Sequence, residues 1–87
     1  MTLADLPNLG PTTERMLHGV GLASAEDLRS VGAPMAYLML RHRYGTRVTR
    51  VALWALAGAI DGRHWLSFSA SEKAALDEAA MEELVVG

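Results

Sequence analysis

Glycine and proline punctuate this chain so often that no long regular element fits within its first two thirds. Pro7, Gly10, Pro11, Gly19, Gly21, Gly32, Pro34, Gly45, Gly58 and Gly62 cut it into short segments. Inside a helix each such residue costs about 1 kcal/mol (glycine) or about 3 kcal/mol (proline) relative to alanine, so helices should begin and end at these positions. Between them lie 14 alanines and 13 leucines against six valines and one isoleucine, a balance that favours helix over strand. The fold class expected is all-α, a compact bundle of five or six short helices in a single domain over residues 1–87.

The punctuation also sets the order of elements. Asp5-Leu-Pro-Asn-Leu-Gly-Pro11 breaks the chain early, with Pro7 disfavouring helix at Leu6 and Gly10 supplying permissive backbone angles, so residues 2–6 form a single turn at most. Pro11 suits a first helical position with Gly10 as its N-cap, and that helix runs to about His18. Ser24 and Asp27 resemble a capping box for a helix over 25–31 that stops at Gly32. Pro34 opens the next, which bears Met35, Leu38, Met39 and His42 on one side and stops at Gly45. Thr46 or Thr49 caps a fifth element, apolar almost all round and so expected to be central, in which Gly58 signals close approach by a neighbouring helix or an early end. Asp61-Gly62 turns the chain, and Ser69-Ala-Ser-Glu72 opens a last helix over 70–84. Glu78, Glu82 and Glu83 oppose the dipole at that helix's C-terminal end, which should fray.

Absence of cysteine excludes a disulfide scaffold and any thiolate chemistry. No apolar run is long enough for a membrane span, and the N-terminus lacks an export signal, so a cytoplasmic location with no membrane partner is expected. His18, His42 and His64 lie more than twenty residues apart, without the spacing of a helical metal motif. The paired carboxylates suit solvated helix faces and the serines suit caps. No catalytic residue, metal, cofactor or small-molecule substrate is expected; an enzyme would need a pocket around Arg63, His64 and Trp65, whose simpler role is to lock the turn before the last helix. Trp54 and Trp65 are expected to anchor helices rather than stack on bases.

Net charge is -2, but it is segregated: -3 over residues 1–27, +5 over 28–60 and -4 over 61–87. An anionic partner should therefore meet the middle third. Two features suit a nucleic-acid backbone. The helix start at Gly10 leaves the amides of Thr12 and Thr13 free to meet a phosphate, with Arg15 on the same turn; the alternative is a cap facing water. Arg41, Arg43, Arg47 and Arg50 crowd the turn between two helices; the alternatives are a solvated face or pairing with the acidic final helix.

Leu6-Pro-Asn-Leu-Gly-Pro11, Val20-Gly-Leu22, Glu26-Asp-Leu28, Gly32-Ala33 and, more specifically, Trp54-Ala-Leu-Ala-Gly-Ala-Ile-Asp-Gly-Arg-His-Trp65 resemble the C-terminal domain of the TfoX/Sxy family of bacterial competence regulators. The resemblance implies a helical domain related to helix-hairpin-helix folds, most clearly in its N-terminal part. In longer family members this domain follows a separate N-terminal one and is associated with transcriptional control of DNA uptake; here a stand-alone domain is expected. A helix-hairpin-helix module would use the hairpin amides near Gly10 for a phosphate, often with lysine where Thr12 stands. The function expected is a non-enzymatic regulatory domain with a weak nucleic-acid contact. The alternative is a partner-protein or homodimer module using the apolar excess of Met35, Met39, Met81, Val85 and Val86.

Overall fold

A computed structural model describes residues 3–86, apart from the side chains of Ala4, Leu84, Val85 and Val86. Five α-helices follow in order: α1 (Pro11–Gly19), α2 (Ala25–Val31), α3 (Ala33–Tyr44), α4 (Arg50–Asp61) and α5 (Ala70–Val86). Single 3-10 turns lie at Leu3–Asp5, Gly45–Arg47 and Trp65–Ser67, and no strand occurs among the described residues. The all-α expectation and the order of helices hold, because their boundaries are written locally.

The caps explain why. Ser69 accepts the Glu72 amide on Oγ at 3.1 Å, while Glu72 Oε1 accepts the Ser69 amide at 2.8 Å, a complete capping box at the start of α5. At α2 the Ser24 hydroxyl accepts from the Asp27 amide, but the shorter aspartate reaches back to the amide of Ala23 instead of that of Ser24. Gly32 ends α2 and precedes α3 with φ 88° and ψ 156°, a conformation open to glycine and closed to other residues. Pro34 is the second rather than the first residue of α3, which starts at Ala33. Of the two candidate caps, Thr49 occupies the N-cap position of α4, without a side-chain bond to it.

Three expectations are corrected by packing. First, α3 rather than α4 is the hub, since α3 packs against α1, α2, α4 and α5. Its Ala33 and Ala36 are buried, while α4 leaves Val51 40% exposed. Second, the buried residues of α3 are Ala33, Ala36, Tyr37 and Leu40. Met35, Leu38 and Met39 are half-buried and His42 is exposed. A helix touched on several sides has no single apolar stripe to read.

The third correction concerns the first turn. Gly10 has φ -116° and ψ -176°, extended backbone that any residue adopts. The residue with positive φ is Asn8, at 68°. Leu6 C=O accepts from the Leu9 amide across Pro7 and Asn8, the pattern of a type II turn with proline at its second position and asparagine at its third. That geometry drives the Asn8 side chain inward. Its Nδ2 donates to the carbonyls of Ala55 (3.2 Å) and Arg63 (3.0 Å), and its Oδ1 accepts from the Trp65 amide (3.2 Å). Gly58 is small because this side chain and the Arg63–Trp65 backbone press on it, not a neighbouring helix.

The core so closed contains Leu3, Leu17, Leu28, Leu40, Leu53 and Leu56, all essentially inaccessible.

Candidate functional site

The basic segment forms a corner where α3 ends, turns through Gly45–Arg47 and enters α4. Its four arginines do different things. Arg41 donates from Nη1 to the Val48 carbonyl at 3.1 Å and lies 3.5 Å from the Tyr37 hydroxyl, so it closes the corner on itself. Arg43 places its guanidinium 5.0 Å from the Tyr44 ring centre, within cation–π range. Arg47 is exposed on the turn. Arg50 lies 3.7 Å from Asp77 of α5 while its side chain stays 70% exposed, a loose pair that contributes little. Only Arg50 therefore meets the acidic final helix; Arg41, Arg43 and Arg47 form no ion pair among the described residues.

The second cluster lies at the start of α1. Gly10 is the N-cap and offers no side chain to the helix amides; Thr12 and Arg15 are exposed and Thr13 is half-buried. Tyr44 joins the two clusters: its hydroxyl donates to the Met16 carbonyl at 3.4 Å and packs on Gly19. Thr12 stands one helical turn before Met16, about 6 Å along the axis at 1.5 Å per residue. The basic corner and the α1 amide end thus belong to neighbouring, tethered elements.

Arg63, His64 and Trp65 serve the turn before α5. Arg63 donates to Ser67 Oγ (2.7 Å), Ser67 O (2.7 Å) and Glu72 Oε2 (3.1 Å), with its guanidinium 4.2 Å from the Phe68 ring centre. His64 Nδ1 accepts from the Leu66 amide. Trp54 and Trp65 stack at 5.8 Å, the Lys73 ammonium sits 4.9 and 5.2 Å from their ring centres, and Trp54 Nε1 donates to Asp77. The tryptophans thus clamp α4 to α5, as anchors do. Among the described residues no group of three or more His, Asp or Glu is placed to hold a metal ion, and no helix is long and apolar enough to cross a membrane.

The Ser69 amide, and next the Arg63 guanidinium, hold the Glu72 carboxyl below the ordinary glutamate value of 4.5. The charged form is favoured in the fold, so its stabilisation is present above the unfolded glutamate range and is lost as pH falls through the lower folded value. The carboxylate is 45% exposed, so the effect is small. Thermal melts from neutral pH down to the carboxylate range should show the melting-temperature gap between wild type and Glu72→Gln closing toward acid.

Grooves lie elsewhere. One of about 430 Å³ runs between α2, α4 and α5 over Ala33, Ala57, Ile60 and Phe68. Another of about 310 Å³ runs between α3, α4 and α5, with Tyr37, Leu38, Leu53 and Ala80 on its floor, Arg41 and Arg50 on its rim, and Asp77 and Met81 from α5. Met81 is 65% exposed there, whereas Met35 and Met39 are half-buried on α3 and the side chains of Val85 and Val86 lie outside the described residues. Sequence reasoning missed the inward Asn8, for which Pro7-Asn8 signalled only the turn, and the convergence of Arg41, Arg50 and Met81 on one groove, for which no local signal exists.

These observations define a small all-α domain whose polar side chains mostly cap, clamp and present charge. The chain belongs to the TfoX C-terminal domain family, whose model matches residues 1–80. It is 36% identical over 74 residues to DNA transformation protein TfoX1 of Aliivibrio fischeri, and 39% identical over 82 residues to protein Sxy of Escherichia coli K12. Those matches cover 85% and 94% of this chain but 35% of each relative, so the chain spans about a third of their length. An uncharacterized protein from Listeria monocytogenes has a similar crystal structure, with TM-score 0.85, 28% identity, and coverage of 94% of this chain and 92% of that one. A tetragonal crystal form of a Listeria monocytogenes protein of unknown function matches at TM-score 0.81 and 28% identity, covering 91% and 96%.

Proposed function

We propose that this domain is a non-enzymatic regulatory module of the TfoX/Sxy kind that docks weakly on a nucleic-acid backbone through the corner between α3 and α4. The observation that carries the reading is that Arg43 and Arg47 stand on that corner with no acidic partner among the described residues, in a stretch, 28–60, that contains no acid at all. Arg41 stiffens the corner and Arg50 keeps most of its side chain in water. The relation to a DNA transformation protein supports the same reading. The amides of Thr12 and Thr13, with Arg15, are a neighbouring secondary contact.

Such binding should be sequence-tolerant and steeply salt-dependent, because each neutralised phosphate releases counterions. Titrating labelled duplex DNA at several salt concentrations should give a falling affinity. The double variant Arg43→Gln/Arg47→Gln should reduce the salt slope by about two, one for each lost phosphate contact. Affinity that does not change with salt, or absence of binding at low salt, would remove the nucleic-acid reading and leave a regulatory domain that acts on protein alone.

A further inference from the structure

We propose that the groove between α3, α4 and α5 is a self-association site, occupied by Met81 of a second copy of this chain. The inference goes beyond backbone docking and does not rest on it.

The argument is charge complementarity around an apolar centre. The groove has an apolar floor of Tyr37, Leu38, Leu53 and Ala80 with Arg41 and Arg50 on its rim, and its volume of about 310 Å³ accommodates a methionine side chain. Met81 lines the edge of the same groove yet is 65% exposed, so it does not fill it. On α5, Glu78 lies one turn before Met81 and Glu82 directly after it, and both are exposed and outside any ion pair among the described residues. Two arginines thus rim an apolar hollow, and α5 at its edge carries an apolar knob with two carboxylates beside it on the helix's solvent side.

A patch of that kind matches itself under a two-fold rotation. Each Met81 enters the other copy's groove, and Glu78 and Glu82 of each copy meet Arg41 and Arg50 of the other, so every favourable contact occurs twice. Arg50 can take a second acid because its bond to Asp77 is long and exposed. The segregation of charge into a +5 middle and a -4 end then has a use: it makes the chain complementary to itself. A contact built on one groove and one helix face buries roughly 600 Å² per copy, the low end for specific interfaces, so the dimer is weak and concentration-dependent.

Sedimentation velocity on the 87-residue chain without DNA, across a concentration series in low salt, tests this. The expected result is a mass rising from 9.4 kDa toward twice that value, and falling back in high salt. Met81→Asp, on an exposed position that leaves the helical circular dichroism unchanged, should raise the dissociation constant about tenfold or more. Glu78→Arg/Glu82→Arg should abolish association, and adding Arg41→Glu/Arg50→Glu to the same chain should restore part of it. Because Arg41 also braces its own corner, Arg50→Glu alone in the reversed background serves as the milder rescue. A strict monomer throughout the low-salt series, or a dimer indifferent to Met81→Asp, overturns the proposal. Neither result depends on DNA, so failure here and failure of backbone docking are read separately.

Discussion

Asn8→Ala is expected to destabilise the domain by roughly 3 kcal/mol, because it removes three partly buried hydrogen bonds and leaves the Arg63 carbonyl and the Trp65 amide without their partner. In a domain of this size that is a fall in melting temperature of about 12–24 °C. The side chain ties the first turn to α4 through Ala55, and to the turn into α5 through Arg63 and Trp65. Two further variants separate causes. Asn8→Gly keeps the positive φ and loses only the bonds, so it should recover about 1 kcal/mol at most, the backbone share of the alanine effect. Asn8→Asp keeps the acceptor for the Trp65 amide but turns a carboxylate oxygen toward the carbonyls of Ala55 and Arg63. It should be at least as damaging as alanine. A loss below about 1 kcal/mol for Asn8→Ala, measured by denaturant midpoints, would mean that water replaces the side chain at little cost.

The same residue marks where the sequence is legible and where it is not. Helix limits could be read because Ser69 and Glu72, Ser24 and Asp27, or Gly45 act over three or four residues, and the physics of a cap is local. Asn8 bonds to partners 47 to 57 positions away, and no local pattern states that. Pro7-Asn8 does announce a type II turn, which says that the asparagine side chain is held in a fixed direction but not toward what. The face of α3 was illegible for a related reason. Its small alanines look neutral in a helical wheel, yet Ala33 and Ala36 are buried while the larger Met35 and Met39 are only half-buried.

The basic band was legible as charge, since five arginines and no acid over residues 28–60 is a compositional fact. How the arginines divide their work was not. Arg41 is committed by the Val48 carbonyl, which the Gly45–Arg47 turn folds back toward it, whereas Arg50 keeps only a long, exposed pair with an aspartate 27 positions on. The backbone contact and the self-association surface draw on different members of the set. In the two proposals Arg43 and Arg47 would face a nucleic acid, while Arg41 and Arg50 rim the groove that would take a second copy's Met81. In a dimer the groove arginines are neutralised by the partner's acids, and each copy still carries its own corner. Two weak corners on one particle would bind a long duplex more tightly than either alone, since the second contact becomes intramolecular.

Gly58→Ala is expected to reverse the usual sign of its class. An interior helix glycine replaced by alanine normally gains about 1 kcal/mol in helix propensity. Here a Cβ would come to 2.5 Å from the Arg63 carbonyl oxygen and would also collide with the Asn8 amide nitrogen. The carbonyl is backbone, fixed by the Asn8 bond and by the Arg63 amide donating to the Gly58 carbonyl at 2.8 Å, so the turn cannot retreat without breaking the lock. Overpacking of this kind should cost about 3 kcal/mol, enough to outweigh the propensity gain. Gly10→Ala is the control: its backbone is ordinary and no atom lies within 4 Å of the added carbon, so stability should stay within about 0.5 kcal/mol. The double variant Asn8→Ala/Gly58→Ala should be less damaging than the sum of its parts by about 1 kcal/mol or more, because removing Asn8 clears one of the two collisions and frees the turn to yield. Strict additivity, or a Gly58→Ala protein more stable than wild type, would show that α4 tolerates a side chain there and that the first turn and the C-terminal end of α4 are not held by one shared contact.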